Sequence, residues 1–264
     1  MKHKTLVPLF DGLDVYEMKI STDSDLAQKY FNQGLILLYG YNYPESSRSF
    51  RAATLNDPKS AISYWGACLS LCEDMEMMMD QYHLEAKGLY HYAQRFQARG
   101  TPKEQALIQS LEPLLASSDL SKDERRRLYI DNLERVYQAF LDDPDICALW
   151  VDATLKYSDF YTGKEAESHR KQIIDCLDRT LEKYPQHPGL NHFYIHAMEK
   201  MGRAEQALDA AKRLDNAVPG SGHLQHMPAH IYMVYGRYHD ASEANYRGIE
   251  ADNQLFAQGG IQDP

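Results

Sequence analysis

The sequence is short of positive charge and of long hydrophobic runs. It carries 28 lysines and arginines against 38 acidic residues, so its formal net charge is −10. Clustered lysine and arginine side chains are what bind phosphate backbones, so this balance argues against nucleic acid as a partner, and it would repel an anionic membrane. No apolar run approaches the roughly 18 residues of a membrane-spanning helix. We therefore expect neither a nucleic-acid partner nor a membrane partner.

Cysteine is scarce as well. The chain has four cysteines, and no two of them form a CxxC pair, so no disulfide framework is expected. The N-terminus lacks the apolar segment and cleavage site of a secretory signal, because Pro8 and Asp11 interrupt it. These absences predict a cytoplasmic protein. The GxSxG elbow, the phosphate-binding glycine loop and the dinucleotide fingerprint are missing too. The sequence therefore does not support a serine hydrolase, a P-loop nucleotide-binding protein or a dinucleotide-dependent enzyme.

Strand signals are nearly absent, and apolar residues instead recur at spacings of three and four. That spacing is typical of amphipathic helices. Residues 25–58 show the pattern as a helix, a turn beginning at Gly40 and a second helix, with Pro58 closing the segment. The sequence therefore predicts a helix–turn–helix unit at this end of the chain.

Two further units of the same kind follow each other near the C-terminus. Gly202 in the first of them corresponds to Gly236 in the second, and both glycines are followed by arginine. Two alanines in the helix after each glycine repeat at the same interval. These coincidences define one unit over residues 188–221 and the next over residues 222–255.

A helix–turn–helix unit of about 34 residues resembles the tetratricopeptide repeat. The resemblance implies an all-α fold, a right-handed superhelix or solenoid of stacked helix pairs, in which each pair is stabilised by its neighbours. We expect a lead-in over residues 1–24, the superhelical domain over residues 25–255, and a tail over residues 256–264 that ends before a further repeat is due. The segments HPGLNHFYIHAMEK and PGSGHLQHMPAHIYMVYGRY also resemble bacterial tetratricopeptide proteins with histidine-rich repeats, but that likeness implies no activity.

Six of the eleven histidines lie in the two short runs 187–203 and 222–238. His226 follows His192 by one repeat length, and His230 follows His196 by the same interval. In the tetratricopeptide family, fixed positions of the first helix line a concave groove. By that resemblance the groove of the last two repeats contains His192, His196, Glu199, His223, His226 and His230.

These six residues predict a transition-metal site between the last two repeats. First helices of neighbouring repeats lie roughly 8–10 Å apart, so imidazoles from both can converge on one ion. Zinc takes three or four such ligands, and copper and iron also accept imidazole. Glu199 is a candidate for a further ligand, for a side chain that orients a histidine, or for a general base acting on metal-bound water.

Two other features bear on this prediction. Pro228 has no N–H, so we expect it either in the first turn of a helix or at a kink. The segment EDMEMMMD, residues 73–80, places four methionines among acids. Thioethers favour copper(I), although methionines more commonly fill irregular gaps in a core.

The N-terminal repeats carry apolar residues near groove positions. These are Phe31, Leu35, Tyr39 and Trp65, and they predict an apolar, aromatic ligand groove. Three functions stay open at this stage. The first is a binding protein for a protein or peptide partner, or a small ligand, that also holds a metal; the second is a plain protein–protein scaffold without metal. The third is a metal-dependent enzyme that uses Glu199.

Overall fold

A computed structural model describes residues 7–73, 80–115, 120–157 and 163–259, and every regular element in these ranges is a helix. The helices are α1 (Asp25–Tyr39), α2 (Tyr43–Asn56), α3 (Ala61–Glu73), α4 (Asp80–Phe96), α5 (Pro102–Ser110), α6 (Glu112–Leu115), α7 (Lys122–Ala139), α8 (Pro144–Lys156), α9 (Gly163–Lys183), α10 (Pro188–Lys200), α11 (Leu208–Leu214), α12 (Gly222–His226), α13 (Pro228–Val234) and α14 (Tyr238–Gly259). Short 3-10 turns occupy Gln97–Arg99 and Ala204–Ala207. None of the helices in these ranges has the length and apolar character needed to cross a membrane.

The chain divides into two compact units. The first unit comprises Met1–Ser117 with Asp252–Pro264, and the second comprises Ser118–Ala251. Within the first unit α1 packs on α2, α2 on α3 and α3 on α4; within the second, α10 packs on α8 and α11, and α11 packs on α13. This succession of neighbouring helices is the stacking of helix pairs typical of tetratricopeptide-type repeats. The all-α, repeat-type fold predicted from the sequence is confirmed.

The first unit is packed around Phe50 of α2. Its ring lies against Gly34 of α1 and Gly66 of α3, where an added Cβ would come within 2.9 Å and 2.5 Å of ring atoms. Phe31 meets the same ring edge-on, with 5.1 Å between the ring centroids. Glycine at these two positions therefore lets three helices close around one large side chain.

The segment that precedes α1 is part of this core. Gln33 accepts a hydrogen bond from the N–H of Phe10 at 2.7 Å, and the hydroxyl of Tyr30 donates to the carbonyl of Val7 at 2.9 Å. Val7, Phe10, Leu13, Met18 and Ile20 are all buried. The lead-in thus contributes apolar side chains to the first unit.

The second unit repeats its turns with the predicted period. Gly202 and Gly236 end the first helices of successive repeats with φ of +66° and +65°. That left-handed conformation favours glycine, because a Cβ would collide with the backbone. The two glycines, one repeat apart, therefore have the same structural role, which is to end the first helix of their repeat.

A polar contact between the two helices of each repeat recurs with the same period. Arg213 of α11 donates to the side chain of Asn191 at 2.9 Å. Arg247 of α14, at the corresponding place in the next repeat, donates to Gln225 at 3.2 Å. The repeat period of residues 188–255 is therefore seen in individual side-chain contacts as well as in the turns.

The second unit also contains a disulfide, which the sequence analysis did not expect. Cys147 of α8 and Cys176 of α9 are bonded, with their Cα atoms 6.5 Å apart, and both side chains are buried. Nothing in a spacing of 29 residues signals such a pair. Packing of α8 against α9 brings the two thiols together, and only the folded chain reveals it.

Candidate metal centre

The start of α10 is fixed by His187, a histidine that is not among the six predicted site residues. His187 precedes the helix, and its Nδ1 accepts the N–H of Leu190 at 3.1 Å. Its Nε2 lies 3.4 Å from Oδ1 of Asp145 on α8. Pro188 follows at the first helical position, where its fixed φ suits a helix start. His187 therefore caps and anchors α10.

Helix α10 presents three of the predicted site residues on one face. His192, His196 and Glu199 are spaced by four and three residues, which places them along one side of the helix. His192 is completely buried, while the side chains of His196 and Glu199 are 25% and 30% exposed. The face thus runs from the core of the unit to its surface.

The other three histidines come from two short helices that meet at a proline. Ser221 caps α12, which carries His223 and His226. Pro228 is the first residue of α13, which carries His230. Of the two placements expected for Pro228, the structure has the helix start. His223 and His230 contact α10, through His192 and Glu199 respectively, whereas His226 contacts Asn245 of α14.

Three imidazoles converge closely enough to hold one ion. One ring nitrogen from each of His192, His196 and His223 lies within 4.8 Å of the other two. The Nε2 atoms of His192 and His223 are 3.0 Å apart. Two ligands of one ion with bonds of about 2.0–2.1 Å are separated by at most about 4.2 Å, so small rotations of the half-buried rings are enough to seat an ion.

His226 and His230 form a second close pair beside this triad. Their Nε2 atoms are 2.9 Å apart. The ring of His230 lies 6.0 Å from that of His196, and the ring of His226 lies 6.1 Å from that of His223, measured between centroids. The five imidazoles are therefore one continuous cluster, the histidine cluster.

The carboxylate of Glu199 touches both parts of the cluster. It accepts from Nδ1 of His230 at 2.8 Å, and its other oxygen lies 3.4 Å from Nδ1 of His196. Burial alone would raise the pKa of Glu199, but the hydrogen bonds and charges of these two histidines outweigh it and lower the pKa to about 2. The contacts suit the orientation of two imidazoles.

His223 is held in its neutral form. Burial lowers its pKa first, and the neighbouring charges of His196, His226 and His230 lower it further, to about 3. A metal binds the neutral imidazole, so a histidine that resists protonation does not have to lose a proton before it can bind an ion.

The second helix of the last repeat also supports the cluster, and the sequence analysis missed it. Asn245 of α14 accepts from Nδ1 of His226 at 2.6 Å. A Cβ on Gly248 would lie 2.9 Å from the carbonyl oxygen of Gly222, so glycine lets α14 approach α12 closely. Asn245 and His226 are 19 residues apart in the sequence and form no recognisable motif. The role of Asn245 is evident only from the packing of α14 against α12.

The residues predicted to form an apolar groove lie in the core of the first unit. Phe31, Leu35, Tyr39 and Trp65 are each at most 1% exposed in the first unit. They contribute to helix packing and have no surface on which a ligand could rest. Of the methionine segment, residues 74–79 lie outside the described residues.

Comparison with known proteins assigns no function. No protein-family profile matches the chain, and no curated protein matches it either. A solved structure of MamA, described as MSR-1 C2, is 15% identical with a TM-score of 0.43, over 74% of this chain and 97% of that one. A MamA mutant structure is 16% identical with a TM-score of 0.42, over 75% of this chain and all of that one. Sequence identity and TM-scores this low carry no information about the site.

Proposed function

We propose that this protein binds a transition-metal ion through His192, His196 and His223, in a tetratricopeptide-type fold that serves as an interaction scaffold. The observation that carries the proposal is the convergence of three imidazole nitrogens within 4.8 Å, contributed by two successive repeats. Imidazole is a suitable protein ligand for zinc, copper and iron. The ligand class is therefore consistent with any of these three ions.

The surroundings of the ligands support this proposal. Metal-binding histidines commonly donate their second ring N–H to a carboxylate or carbonyl oxygen, which fixes the tautomer and the ring orientation. Nδ1 of His196 faces Glu199 in this way, at 3.4 Å. A side chain with this function explains why a half-buried carboxylate lies among histidines on the groove face of α10.

The partial exposure of the cluster suggests how a partner or ligand would take part. His196 is 25% exposed and His230 is 31% exposed, so solvent reaches the outer edge of the cluster. Three protein ligands leave at least one coordination position of the ion open. A carboxylate of a protein or peptide partner, or a small anionic ligand, would fit such a position. The metal would then take part in recognition by the scaffold.

Elemental analysis of the tag-free protein tests the metal. We expect at least one equivalent of zinc, copper or iron in the wild-type chain and the loss of one equivalent in His196→Ala and in His223→Ala, with helical content unchanged by circular dichroism. His239→Ala is the matched control, because His239 is an exposed histidine of the same unit outside the cluster. Absence of metal from wild-type protein incubated with each ion would contradict the proposal and favour the plain scaffold.

A further inference from the structure

The pair His226 and His230 has hydrogen-bond partners that define which nitrogen carries the proton. Nδ1 of His226 lies 2.6 Å from Oδ1 of Asn245, and Nδ1 of His230 lies 2.8 Å from Oε1 of Glu199. Both partners place an oxygen acceptor against the ring, so in this arrangement each Nδ1 is the donor. In a neutral imidazole with a protonated Nδ1, Nε2 is an unprotonated acceptor.

The two Nε2 atoms nevertheless face each other. They are 2.9 Å apart, so two lone pairs would point at one another if both rings were neutral. Two acceptors at hydrogen-bond distance repel unless a cation lies between or beside them. The cation is either a shared proton, which makes one ring an imidazolium, or a metal ion bound by both nitrogens.

We infer that the pair binds a second transition-metal ion, adjacent to the ion of the His192, His196 and His223 triad. This inference rests on the proposed function and extends it from one ion to two. The ring of His196 lies 6.0 Å from that of His230 and 6.2 Å from that of His223, so it stands between the two subsites. Glu199 orients a histidine of each subsite and supplies negative charge to both ions.

The spacing of the two nitrogens is compatible with binding to one ion. With bonds of about 2.0–2.1 Å, nitrogens that are 2.9 Å apart subtend an angle of about 90° at a metal. Cis ligands suit tetragonal or square-planar coordination, and copper(II), the strongest binder among the divalent ions, is therefore the probe of choice. The pair lies at the partly exposed side of the cluster, where His230 is 31% exposed. Water or an anionic ligand of a partner completes its coordination.

Copper(II) titration of the metal-free, tag-free chain tests the second ion. By calorimetry we expect two equivalents for wild type and for the control His239→Gln, and one equivalent for His226→Gln and for His230→Gln. The glutamines keep a polar side chain of similar size, and thermal melts verify that both variants fold. In electron paramagnetic resonance, the second equivalent should broaden the signal of the first, because two paramagnetic ions this close interact.

The outcomes separate this inference from the proposed function. One equivalent in wild type that His226→Gln retains and His223→Gln loses overturns the second ion and leaves the triad site intact; the pair then shares a proton. One equivalent that every cluster variant loses also overturns it, because a single ion then uses all the imidazoles. Two equivalents that both survive in His226→Gln place the second ion elsewhere. No binding at all contradicts both proposals.

Discussion

The two units use the same positions of the repeat in opposite ways. Counted back from the proline that closes each repeat, Phe31 occupies the position of His192, and Leu35 occupies the position of His196. In the first unit both residues are buried and apolar; in the second, one buried and one half-buried imidazole take their places. A repeat position therefore has no fixed task, and its side chain decides whether it stabilises the core or forms a site.

The consequence is that the two units should respond differently to the same kind of mutation. A buried apolar side chain stabilises through the area it removes from water and the contacts it makes. An imidazole such as that of His196, which is 25% exposed, removes less apolar area from water than a buried leucine at the same repeat position. Loss of a large side chain should therefore cost stability in the first unit and ligand binding in the second.

The largest effect is expected for Phe50→Ala. Removal of the ring that fills the space between Gly34 and Gly66 should lower the free energy of unfolding by about 3–5 kcal/mol, because neighbouring helices cannot close the cavity. Urea denaturation of the full chain measures it. His196→Ala is the comparison substitution in the second unit and should cost less than about 1 kcal/mol in the metal-free protein. Equal losses in the two variants would show that the cluster is structural.

Removal of the metal should have the next largest effect on the free energy of unfolding. This destabilisation should arise in the second unit alone. At a free ion concentration one hundred times the dissociation constant, the ion adds about 2.7 kcal/mol to the free energy of unfolding. A chelator should therefore lower the melting temperature of the wild-type chain. The same chelator should lower the melting temperature of His223→Ala less, because that variant keeps only the ion of the His226 and His230 pair. An undiminished decrease in that variant would mean that the stabilising ion binds outside the triad.

Glu199→Gln should weaken metal binding without abolishing it. The amide keeps the shape of the side chain but loses the charge that orients His196 and His230. Loss of a partner of this kind commonly costs about 10–100-fold in metal affinity. Competition with a chromogenic chelator measures the change. Asp209→Asn, at an exposed carboxylate of the same unit, is the control and should bind as wild type does. Complete loss of metal in Glu199→Gln would instead identify Glu199 as a ligand.

The smallest effect is expected for Asn245→Ala. It removes one hydrogen bond to Nδ1 of His226, which is about 1 kcal/mol or about fivefold in affinity. The loss should fall on the second copper(II) equivalent alone, because Asn245 contacts the pair and not the triad. Asn253→Ala, an exposed asparagine on the same helix, serves as the control. A weaker first equivalent with an unchanged second one would contradict the assignment of the pair.

The sequence specifies the repeats well, because their signals are local. Gly202 and Gly236 mark the turns, and the interval between them places His192 and His196 in register with His226 and His230. That register holds in the structure, where all four rings belong to one cluster.

Other features were not predictable because they depend on packing between distant helices. The role of Asn245 and the bond between Cys147 and Cys176 follow from how helices meet, and neither leaves a motif in the chain. The burial of Phe31 and Trp65 also depends on neighbours, since the same helical position is either covered or open according to the helices stacked against it.

The most direct test of the central claim is anomalous X-ray diffraction from crystals of the metal-loaded protein, collected above and below the absorption edge of the ion. We expect an anomalous peak about 2.0–2.1 Å from ring nitrogens of His192, His196 and His223. No anomalous peak at the triad, although the crystals contain stoichiometric metal, would contradict the account.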